Sequence, residues 1–390
     1  MIIKKITLHN WKNFQNCSIE LSERTFIIGS NASGKSNLLD ALRFLRDISK
    51  QAGGLQSAVE ERGGITKIRC LAARTQTNVS ITVELGETQE TTPKWRYHLD
   101  FMHTGGGIRK SQVKINSEEV YSYEQAKYIL QRPIVGNDDE ETLKYTHLEQ
   151  VTANKEFREL QTFFQDIEYL NVIPQMVRES SSSIFSATKE DYYGRNFLEK
   201  LAKMNERTRN SYFRQLNEFL RIAVPQLEEL KFIKDEMGIP HIEARYIHWR
   251  AKGSKQQEMQ FSDGTLRLIG FLFVLLDNNG IILLEEPEIN LHSGIVTQLP
   301  EFIAKVQRSK KNARQVLITT HSYDILSNRG ISPDEVILLE NTAEGTSANT
   351  ISNIEEVEPI IRSGLTIADA VIPYTKPKDI EKVIQLKIDF

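Results

Sequence analysis

The chain has 390 residues, 39% of them hydrophobic and 26% charged, an ordinary composition for a folded protein long enough for two or three domains. A formal net charge of −3 excludes a whole-surface basic footprint for nucleic acid, though not a local patch. Cys17 and Cys70 form no metal or redox motif, and no apolar run approaches the length of a bilayer span. Met1 leads straight into strand-like sequence without a leader pattern, so a cytoplasmic location and no membrane partner are expected.

Ile2 to Leu8 alternates apolar and polar residues, the period of a half-buried strand. Asn10-Trp11-Lys12-Asn13-Phe14 follows, then a second strand near Cys17 to Leu21. Thr25-Phe26-Ile27-Ile28 is a continuous β-branched and aromatic run, the pattern of a buried strand. Directly after it, Gly29-Ser30-Asn31-Ala32-Ser33-Gly34-Lys35-Ser36 fits G-x-x-x-x-G-K-[ST]. Leu38, Leu42 and Leu45 then recur at helical spacing, so the loop feeds a helix N-terminus. In such a loop the glycines let backbone N–H groups turn inward around phosphate oxygens. Lys35 is expected to reach the β- and γ-phosphates of ATP, and the Ser36 hydroxyl to ligate Mg²⁺. Asn31, Ala32, Ser33, Gly34 and Asn37 complete the expected nucleotide contacts on this side.

Val79 to Leu85, Trp95 to Phe101 and Ile108 to Ile115 read as an antiparallel group, with Gly105-Gly106-Gly107 as a turn. Gly136 to Glu141 reads as an exposed acidic loop. From about Asn154 the pattern turns helical: Phe157 to Ile167, a loop at Ser180 to Ser183, then one long helix or a turned pair over Phe197 to Ile222, stopped by Pro225. Sustained apolar heptads are absent, which excludes an extended coiled coil. Tyr246 to Trp249 and Met259 to Phe261 have strand character. Beyond Gly264, helices over Leu266–Leu276, Ile295–Gln307 and Tyr323–Leu326 alternate with strands over Ile281–Leu284, Val316–Thr319 and Val336–Glu340. That alternation predicts a parallel sheet with covering helices. The tail from Ile360 adds helical segments.

The strand Ile281-Ile282-Leu283-Leu284 ends in Glu285-Glu286, and open α/β sheets bind ligands at the carboxyl ends of their strands. Glu285 is expected to hold Mg²⁺ directly or through water, and Glu286 to orient and deprotonate the attacking water. Upstream, Ser262 in Phe261-Ser262-Asp263-Gly264-Thr265 can cap an apolar helix whose free N–H groups then form an anion site. Downstream, Val316-Leu317-Ile318-Thr319-Thr320-His321 ends an apolar strand in a histidine, read as a γ-phosphate sensor.

Taken in order, these motifs resemble the ATP-binding cassette superfamily. The Asn13-Phe14 pair is similar to the "NF" segment of its SMC-like and RecF-like branch. Glu286-Pro287-Glu288-Ile289-Asn290-Leu291-His292 resembles the EPE-x-x-LH of AAA-type ATPases in that branch, which include the ATPase half of OLD-family nucleases. The resemblance covers Met1 to about Asn37 and Gln260 to about Glu340. It implies an α/β head with a mixed or parallel sheet and covering helices, an antiparallel β group and a helical lid insertion. Expected boundaries are 1–150 and 246–345 for the two ATPase lobes, 151–245 for the insertion and 346–390 for a tail. It implies ATP hydrolysis with Mg²⁺, two ATPs being sandwiched between two heads. Ser262 and Gly264 would then contact the nucleotide on the opposite protomer's loop, in a homodimer or higher oligomer. Three departures stand out. Glu285 occupies a position where Asp is common, Asp263 replaces the first signature glycine, and no Q-loop glutamine is assigned among Gln161, Gln165 and Gln175.

The expected function is an ATP-gated dimeric clamp or sensor in bacterial DNA maintenance or anti-phage defence. A separately encoded nuclease or toxin is its expected effector, and nucleic acid a further ligand class. The span from Ser36 to Ser262 is too short for an SMC arm. Lys203, Arg207, Arg209 and Arg214 alternate with Glu206 and Glu218, as on a solvated face, and a second basic run is Arg308-Ser309-Lys310-Lys311. No nuclease domain is expected after His321, where no series of strands ending in acids occurs. The alternative is a RecF-like repair ATPase that binds DNA directly. A transporter nucleotide-binding subunit fits least, given the "NF" start and the long insertion.

Overall fold

The computed structural model describes residues 1–50, 54–88, 90–104, 112–171, 173–178, 197–247, 254–276, 280–309 and 314–376. The expected turn at Gly105–Gly107 and loop at Ser180–Ser183 lie outside these residues, as does the end of the tail. In chain order the strands begin with β1 (Ile2–Trp11), β2 (Phe14–Glu20), β3 (Arg24–Gly29), β4 (Val79–Gly86) and β5 (Trp95–His103). They continue with β6 (Val113–Ser122), β7 (Lys127–Arg132), β8 (Glu168–Leu170), β9 (Leu227–Lys234) and β10 (Pro240–Tyr246). The last are β11 (Ser254–Gln257), β12 (Ile282–Glu285), β13 (Val316–Thr319), β14 (Val336–Thr342) and β15 (Gly345–Thr350). The helices are α1 (Lys35–Ile48), α2 (Gly54–Glu60), α3 (Ile65–Ile68), α4 (Arg158–Gln165), α5 (Pro174–Arg178), α6 (Phe197–Lys203) and α7 (Glu206–Ala223). They go on as α8 (Asp263–Leu276), α9 (Ser293–Val296), α10 (Leu299–Ser309), α11 (Tyr323–Leu326), α12 (Val357–Arg362) and α13 (Ile367–Thr375).

The chain forms two compact units: Met1–Glu168 with Asn279–Leu283 and Arg314–Phe390, and Tyr169–Asn278 with Leu284–Ala313. In the first, an antiparallel sheet runs in the order β2-β1-β4-β5-β6-β7. The alternation read in β1 buries Ile6 and Leu8 on one face. Trp11, Phe44 and Phe101 follow one another through this core at centroid distances of 5.1 and 5.5 Å. The second sheet has the order β15-β14-β3-β13-β12-β8. β3 is buried along its whole length, as its unbroken apolar run requires of an inner parallel strand. β13 and β14 flank it in parallel, with Thr319 opposite Ile27 and Leu339 opposite Gly29, and β15 pairs antiparallel with β14. β12 begins in this unit, where the Ile282 amide donates to the Gln315 carbonyl at 2.9 Å.

α1 carries two buried acids, Asp40 and Asp47, and the Arg62 guanidinium bridges them at 3.0 and 2.8 Å. Burial pushes both carboxyls up, but Arg62 with Lys12 at Asp40, and Arg46 with Arg62 at Asp47, outweighs it and holds both below the usual carboxylate range. The helix behind the loop is thereby fixed by charge as well as by Leu38, Leu42 and Leu45.

The second unit contains the sheet β11-β10-β9 and the helices α5 to α10. α8 is apolar nearly all round and is buried accordingly. Phe197 and Tyr212 pack edge-on against its Phe273, at 5.2 and 5.6 Å.

Several local expectations change. Met259–Phe261 is not a strand: Glu258–Gln260 forms a 3₁₀ turn closed by reciprocal bonds between Gln257 and Gln260. Ile295–Gln307 is two helices, α9 and α10, broken at Thr297 and Gln298. The pair over Phe197–Ile222 is α6 and α7, the second capped by the Asn205 side chain. The insertion also carries β9 and β10, whose charged residues masked their pairing. Among the described residues no helix is long and apolar enough to cross a membrane.

Candidate nucleotide-binding site

β3 ends at Gly29 and the chain turns through the loop into α1. Ala32 has a φ of 61° and Gly34 a φ of 100°, left-handed conformations of the kind that lets a loop turn its amides toward an anion. A Cβ on Gly29 would lie 2.4 Å from the Leu339 carbonyl oxygen, and one on Gly34 would lie 2.0 Å from Asn13 Nδ2. Both glycines are therefore required by close approach as well as by conformation. Lys35 Nζ donates to the carbonyls of Gly29 and Ser30, each at 3.1 Å, so its side chain curls over the loop. Asn31, Ala32 and Ser36 are exposed, whereas Ser33, Gly34 and Lys35 are buried. The Ser33 Oγ is buried and has no hydrogen-bond partner among the described residues.

The loop is braced from outside. Asn13 Nδ2 donates to the Ser33 carbonyl at 3.0 Å, and Thr346 Oγ1 on β15 donates to the same carbonyl at 2.9 Å. The Asn37 side chain donates to Asn13 Oδ1 at 2.7 Å, and Trp11 Nε1 donates to the Asn37 carbonyl at 2.9 Å. Asn37, expected to contact nucleotide, is thus tied to the "NF" segment. Because β13 runs parallel to β3 in register, His321 leaves the sheet at the same edge as the loop, where the Thr320 amide donates to the Ile27 carbonyl at 3.1 Å. His321 is exposed.

The remaining expected residues lie in the second unit. β12 is buried up to Leu284 and ends in half-buried Glu285. Glu286 follows with a φ of 43°, a strained conformation for a residue with a long side chain. The Tyr169 hydroxyl on β8 donates to Glu285 Oε2. Ser262 Oγ accepts from the Thr265 amide at 3.1 Å, so it caps α8 as its type and position dictate. A Cβ on Gly264 would lie 2.4 Å from the Asn290 carbonyl oxygen, so that glycine admits the backbone of Glu288-Ile289-Asn290-Leu291 against the start of α8. His292 Nδ1 accepts from the Gly294 amide and caps α9.

Residues 24–327 match the family described as "AAA domain, putative AbiEii toxin, Type IV TA system". The chain belongs to this AAA-domain family. It is 32% identical over 117 residues to the DNA replication and repair protein RecF of Gloeobacter violaceus, covering 29% of this chain and 28% of RecF. It is 22% identical over 393 residues to the endonuclease GajA of Bacillus cereus, covering 94% of this chain and 63% of GajA. The chain therefore spans less than two thirds of either curated relative's length. Among solved structures, an SMC head bound to the C-winged helix domain of ScpA matches with a TM-score of 0.55 at 14% identity, over 92% of this chain and all of that one. The fold is that of an SMC head.

This AAA domain assigns two of the three Q-loop candidates elsewhere. Gln161 and Gln165 both donate to the Ser49 carbonyl just beyond α1, at 3.0 and 2.7 Å. Gln175 sits exposed on α5. The sequence reading missed Arg178, which donates to Asp263 at 2.6 Å and to the Phe261 carbonyl at 2.8 Å. It thereby clamps the segment in which Asp263 stands for a glycine. Arg267, one turn along α8, is held below the usual guanidinium range by burial, which outweighs the nearby Asp263 and Glu286.

Ser36 in the first unit and Glu285 in the second each offer a hard oxygen atom, the donor type that Mg²⁺ takes.

Proposed function

We propose that this chain binds and hydrolyses ATP and that two copies close on two nucleotides as a gated clamp. The observation that carries the reading is the parallel register of β3 and β13, which brings the Gly29–Ser36 loop and His321 to one edge of one sheet. Loop amides and Lys35 hold the phosphates. Ser36 and Glu285 hold Mg²⁺, which neutralises charge on the transferring phosphoryl group when bound. Glu286 takes the proton of the attacking water, and its left-handed backbone is the strain expected at such a position. His321 reads the γ-phosphate. Ser262 and Gly264, with the amides that open α8, serve the neighbouring chain's nucleotide.

The clamp acts on an effector carried elsewhere, a nuclease or toxin, in DNA maintenance or anti-phage defence; the similarity to a protein named an endonuclease supports the link to nucleic-acid cleavage. The chain works in the cytoplasm. The test is phosphate release together with sedimentation. Glu286→Gln is expected to abolish turnover while retaining ATP and to accumulate as an ATP-dependent dimer. Wild-type turnover in Glu286→Gln contradicts the assignment.

A second reading has its own support in the similarity to RecF: direct DNA binding by the dimer. Duplex DNA that raises turnover of the purified chain without an effector favours it.

A further inference from the structure

A carboxylate that binds one metal ion has a spare oxygen, and what holds that oxygen sets where the other one points. In the second unit the spare oxygen of Glu285 is engaged. Tyr169 lies on β8, the sheet strand next to β12, and is 8% exposed. Its hydroxyl donates to Glu285 Oε2. β8 reads Glu-Tyr-Leu, and phenylalanine would fill the same apolar volume without a polar atom. Burying a hydroxyl is unfavourable without a partner, so the tyrosine at this position is explained by its acceptor. That acceptor is the residue assigned to the metal.

We propose that Tyr169 is a positioning residue for Mg²⁺ binding, its hydroxyl holding Glu285 Oε2 and so fixing the orientation of the carboxylate that would meet the ion. The proposal rests on the reading of Glu285 as metal ligand. Partners behind metal ligands fix ligand orientation, and their loss typically weakens metal binding about 10- to 100-fold. Tyr169 touches neither water nor phosphate in this scheme; it acts through Glu285. A purely structural tyrosine would lower the fraction of active protein, and a positioning tyrosine shifts the metal dependence.

The experiment uses the full chain carrying Glu286→Gln and saturated with ATP, with Mn²⁺ as the probe and its binding read by electron paramagnetic resonance. Tyr169→Phe, which keeps the ring, is expected to weaken Mn²⁺ binding about 10-fold, while ATP affinity in EDTA stays within about twofold. In the wild-type background, Tyr169→Phe is expected to raise the half-saturating Mg²⁺ concentration by the same factor, with turnover recovering at high Mg²⁺. Unchanged Mn²⁺ binding overturns the proposal, as does reduced turnover at an unchanged half-saturating Mg²⁺. Glu285→Gln separates this failure from failure of the underlying reading. If Glu285→Gln weakens Mn²⁺ binding and Tyr169→Phe does not, only the role of Tyr169 falls. If Glu285→Gln also leaves Mn²⁺ binding unchanged, the metal role of Glu285 falls and takes the proposal with it.

Discussion

Asn13 holds the phosphate-binding loop by the Ser33 carbonyl, at 3.0 Å, from a segment twenty residues upstream. The same side chain accepts from Asn37, so one residue ties both ends of the loop's turn into α1. Bonds from Asn13 and Thr346 fix the Ser33 carbonyl, and with it the course of the loop. Asn13→Ala is expected to raise the ATP dissociation constant about tenfold, the loss of one to two hydrogen bonds at about 1 kcal/mol each. A nucleotide-binding titration measures it. Lys35→Ala, which removes a charge-assisted contact of roughly 1.5–3 kcal/mol, sets the scale for complete loss of the loop's grip. Wild-type affinity in Asn13→Ala would leave the "NF" pair a packing feature.

Gly264 admits the Asn290 carbonyl at a distance no Cβ tolerates. Gly264→Ala is expected to displace the Glu288–Leu291 turn and destabilise the protein by about 1–3 kcal/mol, the usual result of overpacking. Chemical denaturation checks the stability, and Gly264→Ser should be at least as damaging. Neutral behaviour of both would mean that this turn is free to move away.

His321 stands at the sheet edge shared with the loop. His321→Ala is expected to slow hydrolysis by about 10²-fold, within the usual range for a lost proton-handling or polarising group. ATP affinity is expected to change by about twofold at most. Stopped-flow phosphate release separates the two effects. Unchanged turnover would leave His321 as the end of a strand.

Glu149 gives a pH dependence with a definite sign. Its carboxylate sits against the start of α2, where a Cβ on Gly54 would lie 1.1 Å from Oε2, and it accepts from the Thr146 amide at 2.6 Å. Burial pushes it up to about 7 from an ordinary 4.5, despite the bonds from Thr146. A carboxyl raised in the folded state is protonated there while the unfolded chain has already ionised. Folding stability is therefore lost as pH rises from about 4.5 to about 7, by up to about 3 kcal/mol, and is level above. Glu149→Gln removes this slope. Melting temperatures from pH 5 to 8 are expected to fall more steeply for wild type than for Glu149→Gln; parallel curves contradict the shift.

The nucleotide loop was legible because its glycines, lysine and flanking strand and helix are all local in sequence. Ser262 was legible as a cap for the same reason. What holds these pieces was not. Asn13 and Thr346 meet at one carbonyl from opposite ends of the chain, and no periodicity announces that. Arg178 carried no signal of its own, because its partner Asp263, the departure from the glycine pattern, lies 85 residues further along the chain. Tyr169 carried no signal in the sequence because its acceptor, Glu285, lies far along the chain on another strand. The strands β9 and β10 stayed hidden because Leu227–Lys234 alternates imperfectly and carries the charges of a helix surface.

In the proposed clamp each ATP site is completed by a second chain, and mixing two inactive variants tests this directly. Lys35→Ala loses its own loop, and Ser262→Arg blocks the site of its neighbour. Each is expected to be inactive alone. Mixed under conditions where subunits exchange, they form heads that pair one intact loop with one intact α8 start, and phosphate release is expected to recover in part. A mixture that exchanges subunits yet stays as inactive as either parent would contradict the account.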